Sequence, residues 1–145
     1  MNDEVKKTPA PISLKSLMTS SKTVTFDYPG AEGFTVGLCY LSREELVKLR
    51  SKCLSQVFNK KTRGFDEKLD EEKFVEHYTE AVVKGWSGLK LKYLKNMILI
   101  GEPDDEEAEL PYSQENVETL MKNSNDFDTW VTEMVGDLEN FTGGK

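Results

Sequence analysis

Ser42-Arg-Glu-Glu-Leu-Val-Lys-Leu-Arg-Ser-Lys-Cys-Leu-Ser-Gln-Val-Phe-Asn-Lys-Lys-Thr-Arg-Gly64 is the stretch that sets the fold class. Its first four residues form a capping box, in which the Ser42 hydroxyl accepts from the amide three residues on and the Glu45 carboxylate reaches back to the Ser42 amide. A helix starts there. Leu46, Leu49, Cys53, Leu54, Val57 and Phe58 then recur at helical spacing, while Lys48, Lys52 and Ser55 fall towards the other face. Asn59-Lys-Lys-Thr-Arg-Gly64 places cations at the negative end of that helix and a glycine beyond it. The whole stretch reads as one amphipathic helix.

Upstream, the period is two. Val24, Phe26 and Tyr28 alternate with Thr23, Thr25 and Asp27, and after Pro29-Gly-Ala-Glu-Gly33 the alternation resumes with Phe34, Val36, Leu38 and Tyr40. This predicts a β-hairpin over 23–41 whose loop glycines supply positive φ. An isolated hairpin is marginal in water, so its apolar face must lie on helices or on another chain. Residues 1–22 read as a flexible N-terminal arm with Pro9-Ala-Pro11 in it, and Ile12, Leu14, Leu17 and Met18 make one weak amphipathic turn.

Downstream the signals are helical. Asp70 caps a helix with Leu69 and Phe74 as its hydrophobic staple; Tyr78, Ala81 and Val82 continue its apolar side, and Gly85 offers a left-handed stop. Trp86-Ser-Gly-Leu89 is a compact turn into a shorter helix with Leu91, Tyr93, Leu94, Met97 and Ile98. Residues 102–109 carry six acids in eight positions and read as an exposed loop. Ser113 caps another helix, with Tyr112 and Val117 as a second staple. Asn123-Ser-Asn125 breaks it. A last helix carries Phe127, Trp130, Val131, Met134, Leu138 and Phe141, and 142–145 fray as a tail. The resulting expectation is an α+β, mainly α fold: an N-terminal β-hairpin followed by a bundle of four to five helices, in a single domain over 23–141.

With 37% apolar and 31% charged residues, the chain has a modest core and a large solvated surface. A net charge of −7 opposes nonspecific binding to nucleic acid or to an anionic membrane. The charge is polarised: residues 1–63 hold 11 Lys/Arg against 6 Asp/Glu, and residues 64–145 hold 8 against 20. Such polarity either orients copies head to tail, chooses a partner's sign, or marks two solvated faces. No apolar run reaches the roughly 20 residues a membrane span needs.

Catalytic chemistry is not visible. An enzyme of this size should show a nucleophile with its base, a metal cluster or a phosphate cradle. Cys39 and Cys53 have neither zinc nor redox spacing, His77 has no second ligand at metal spacing, and the glycines form no nucleotide-binding loop. The expectation is no enzyme and no cofactor. Trp86 and Trp130 read either as core anchors or as interface hot spots. Together with Leu89, Tyr93 and Phe141 they are the candidate partner-binding residues.

Phe34-Thr-Val-Gly-Leu-Cys-Tyr-Leu-Ser-Arg-Glu-Glu-Leu46, Val82-Val-Lys-Gly-Trp-Ser-Gly-Leu89, Leu110-Pro-Tyr-Ser-Gln-Glu-Asn116 and Phe127-Asp-Thr-Trp-Val131, in this order, resemble the bacteriophage tail assembly chaperone family. The likeness covers roughly residues 12–141. It implies a protein that, in the host cell cytoplasm, binds the long helical tape measure protein and helps recruit tail tube protein around it, with self-association as a further possibility. The alternative from another class is a structural virion protein, a neck or tail component retained in the particle.

Overall fold

The computed structural model describes residues 11–142. Residues 1–10 of the arm expected over 1–22, and 143–145 of the tail expected over 142–145, lie outside the described residues. In chain order the elements are α1 (Leu14–Leu17), β1 (Thr23–Asp27), β2 (Thr35–Cys39), α2 (Arg43–Lys52), β3 (Leu54–Asn59), β4 (Gly64–Leu69), α3 (Glu71–Val82), β5 (Val83–Ser87), α4 (Leu91–Leu94), α5 (Gln114–Asn123), α6 (Asn125–Val135) and α7 (Glu139–Thr142).

The expectation of a hairpin followed by a helical bundle is overturned. The described residues form a mixed α/β structure with two antiparallel sheets, one of three strands in the order β1-β2-β5 and one of two strands, β3-β4. Two misread segments account for the difference. The capping box does start α2, with both its hydrogen bonds present, at 2.9 and 3.1 Å. That helix stops at Lys52. From Leu54 the chain is extended, and it pairs with 64–69 in a register that sets Leu54 opposite Leu69 and Phe58 opposite Phe65.

Leu54 and Phe58 share one face of β3 while Val57 falls on the other, so part of the helical apolar spacing also fits a strand once a partner strand is within reach. The segment 59–64 is not a helix end: Asn59 and Gly64 close the ladder and 60–63 is the hairpin loop. Asn59 Oδ1 accepts from the amides of Lys61 and Thr62, its Nδ2 donates to Asp66, and Arg63 takes φ 59°. Asn59 organises the loop by folding its side chain over the following backbone.

The second misread segment follows α3. Helix α3 ends at Val82, and the next five residues join β2 as the third strand, with Val36 opposite Trp86 and Leu38 opposite Val83. Gly85 therefore sits in a strand and does not cap the helix. The register shifts between Gly37 and Leu38.

The three-stranded sheet buries one face against α3, α5 and α6. Phe34, Val36 and Leu38 from the sheet side meet Val82, Val117, Leu120, Phe127 and Val131 from the helices, all of them essentially removed from solvent. Its other face carries Thr23, Thr25, Thr35 and Gly37. The final helix is also shorter than expected. It ends at Val135, and after Gly136 a separate turn, α7, carries Phe141 back onto Phe26 and Tyr40 at ring-centroid distances of 5.6 and 5.7 Å. Ser124 joins α5 to α6, and its hydroxyl accepts from the Phe127 amide.

Candidate interaction surfaces

The five residues singled out from the sequence are not one patch. Leu89 is completely buried in the core. Trp86 is half-buried, its indole N–H donates to the Leu110 carbonyl at 2.9 Å, and its ring meets Tyr112 edge-on at 5.3 Å. Trp130 is half-buried against Tyr28, 4.9 Å away, and both tryptophans border Phe127. These contacts make the two tryptophans the polar-edged rim of the core. Tyr93 donates its hydroxyl to the Glu32 carbonyl at 2.7 Å and ties α4 to the β1–β2 loop. Phe141 lies apart from the other four, on a groove described below.

The acidic segment 102–109 is exposed but not loose. Leu91 and Lys92 amides donate to Ala108 and Glu106, and Leu110 donates back to Leu89. Lys90 and Lys92 both reach Glu107, at 2.8 and 2.9 Å, while Lys95 bridges Glu106 and Glu102. The run of acids thus meets three lysines from 90–95. Hydrogen bonds from Lys90 and then Lys92 hold the Glu107 carboxyl at about 2, below its ordinary 4.5. Glu107 and Glu106 in turn raise Lys90 and Lys95.

Because the Glu107 value is depressed, its contribution is complete above about 4.5 and disappears as pH falls through about 2. The lysine contributions are complete below their ordinary 10.5 and are lost as pH rises beyond the raised values. An NMR titration of the Glu107 carboxyl should give a midpoint near 2. Glu107→Gln should speed amide exchange of Lys92 several-fold while leaving the core amides untouched. A Glu107 midpoint at the ordinary glutamate value would refute the clamp.

Besides Val47, Leu99 and Ile100, two surfaces leave several large apolar side chains in water. The first is the stripe Ile12, Leu14, Leu17 and Met18 on and around α1, which is 60–80% exposed. It borders a groove of about 600 Å³ in which Met18 faces Leu138 and Phe141, with Ser42, Glu44 and Lys48 on the rim.

The second surface is the β3-β4 arm. Its strands make their extensive contacts with each other, and its base is closed by the Asp70 amide donating to the Cys53 carbonyl. Phe58 and Phe65 stack edge-on at 5.5 Å and remain 53% and 66% exposed. A two-stranded ribbon of this kind has little to stabilise it unless its apolar face is covered. Lys60, Lys61 and Arg63 crown its tip.

His77 lines a cleft of about 470 Å³ between α2 and α3, among Lys48, Lys52, Glu80 and Lys84. Among the described residues no group of three or more His, Cys, Asp or Glu is placed to hold a metal ion, and no helix is long and apolar enough to cross a membrane.

Comparison with known proteins finds no match among curated proteins or solved structures. A model of the YdaY prophage protein family matches residues 42–144, from the capping serine of α2 through the arm and all the later helices. That span exceeds two thirds of the chain, so the protein belongs to the YdaY prophage protein family and is of phage origin.

Proposed function

We propose that this phage protein is a tail assembly chaperone: in the host cytoplasm it binds the tape measure protein, helps recruit tail tube subunits during virion morphogenesis, and makes or breaks no covalent bond. The observation that carries this reading is the α1 stripe. Ile12, Leu14, Leu17 and Met18 are exposed to water, and Met18 lines a groove together with Leu138 and Phe141. Burying such side chains yields about 1.5–3 kcal/mol each. A helix with an apolar stripe, of the kind a tape measure protein presents, is a suitable occupant for such a groove. The polar rim keeps the contact small and reversible, as release to tube protein requires. The likeness of the sequence to tail assembly chaperones and its membership of a prophage family support the same reading.

A pull-down of tape measure segments by the purified chain tests it. Leu14→Ser combined with Leu17→Ser should weaken capture by about tenfold or more with no change in circular dichroism, since neither side chain supports the fold. Capture that is absent, or indifferent to these substitutions, would refute the proposal. Mass spectrometry of purified particles separates the rival reading, because a stoichiometric signal there means a retained structural component.

A further inference from the structure

We infer that the arm of one copy docks, tip first, in an acidic hollow on a second copy of this chain, so that copies associate head to tail. Near its tip the arm carries an apolar patch, the exposed Phe58–Phe65 pair, and Lys60, Lys61 and Arg63 lie in the loop just beyond it. None of these three cations takes part in an ion pair among the described residues.

The counterpart combines residues of the β1–β2 loop with residues of the acidic C-terminal half. A hollow of about 220 Å³ is walled by Tyr28, Tyr93 and Met97 and edged by Asp126, and the adjoining depression, which shares Tyr28 and Ala31, is edged by Asp27 and Glu32. These three carboxylates likewise have no cation partner among the described residues. Burial and then the Asp126 charge raise the Tyr28 hydroxyl, which fits a negative field at the mouth of the hollow.

An aromatic patch next to three positive charges and an aromatic hollow bordered by three negative ones match in both polarity and sign. Interfaces take this form, with an apolar centre and a charged rim. The matching halves reside on one polypeptide and are therefore always present in equal amounts. A second copy is the occupant this arithmetic selects. Because the two patches differ, the contact is heterologous and repeats from copy to copy, giving rings or open chains. The contact area is small, so the association is weak and salt-sensitive.

Charge reversal tests this with the full chain. Sedimentation of the wild type at roughly 100 µM, a concentration that populates weak interfaces, should show association that high salt abolishes. The variant Lys60→Glu/Lys61→Glu/Arg63→Glu and the variant Asp27→Lys/Glu32→Lys/Asp126→Lys should each be monomeric alone, because tip and hollow then carry the same sign. An equimolar mixture should associate again, since each variant offers what the other lacks. All six positions are on the surface, and circular dichroism confirms folding. A monomeric wild type would overturn the inference and leave the arm to a different partner. A reversed variant that still associates alone, or two folded variants that stay apart on mixing, would overturn it equally.

Discussion

Gly88→Ala should destabilise the protein by about 3 kcal/mol or more, whereas Gly30→Ala should cost only about 1 kcal/mol. Both glycines hold a left-handed backbone, with φ of 79° and 83°. The difference is what a side chain would meet. At Gly30 an added Cβ finds open space, while at Gly88 it falls on the Gly33 carbonyl oxygen and close to the Phe34 backbone.

Gly88, just past the end of β5, is pressed against the end of the β1–β2 loop, so a displaced Gly88 drags Leu89 with it. That residue is wholly buried, and its carbonyl accepts from the Leu110 amide at 2.8 Å. Against a total stability of about 5–15 kcal/mol for an ordinary domain, such a loss is a large fraction. Urea unfolding of the two variants side by side measures it. Equal midpoints would mean that the turn does not approach the loop as closely as described here.

The compact turn read at 86–89 was only partly right: Trp86 and Ser87 end β5, and only Gly88, with φ 79°, leaves the strand. Helix starts were legible: Ser42, Asp70 and Ser113 each place an oxygen on an amide three residues ahead, and each is observed to do so. A cap is a local event that three or four residues decide. Helix ends and strand partners are not local. Nothing within 53–58 alone prefers a strand to another turn and a half of helix; the choice rests on Phe65 and Leu69 arriving in register from beyond a loop. The available signal was the matching pair of patterns, Leu54-x-Gln56-x-Phe58 and Phe65-x-Glu67-x-Leu69, flanking an Asn-led polar loop. The same limit hid β5, since Val83–Ser87 becomes a strand only because β2 has an open edge.

The candidate binding residues were chosen for size and apolarity, which mark a core and an interface alike. Only the position of the Leu110 carbonyl shows that Trp86 is tied to the body, and only full burial removes Leu89 from any contact surface. Phe141 lines an open groove because Gly136 ends α6 before it. The exposed Phe58 and Phe65 were passed over because a helical reading of 42–59 gave the first a buried face and left the second in a loop. The lysines at 90, 92 and 95 were also unread as counter-ions, since the acidic run they hold lies beyond a change of direction in the chain.

Phe127→Ala should cost about 3–5 kcal/mol, while Phe65→Ala in the free protein should change stability by less than about 0.5 kcal/mol. The two phenylalanines are chemically identical and differ only in what surrounds them. Phe127 has no solvent exposure and lies within 5.9–6.3 Å, centroid to centroid, of Tyr28, Trp86 and Trp130. Removing its ring leaves a cavity that three large rings cannot close without giving up their hydrogen bonds or edge contacts. Phe65 is 66% exposed and touches little besides Phe58. Urea unfolding of the two single variants and the double variant should therefore show nearly additive losses dominated by Phe127, because the sites share no partner. Water reaching the cavity should also shift the tryptophan emission of Phe127→Ala to the red before unfolding begins. The opposite ranking, with Phe65→Ala the more damaging, would mean that the arm is packed in solution in the isolated chain and that the apolar face described here is already covered.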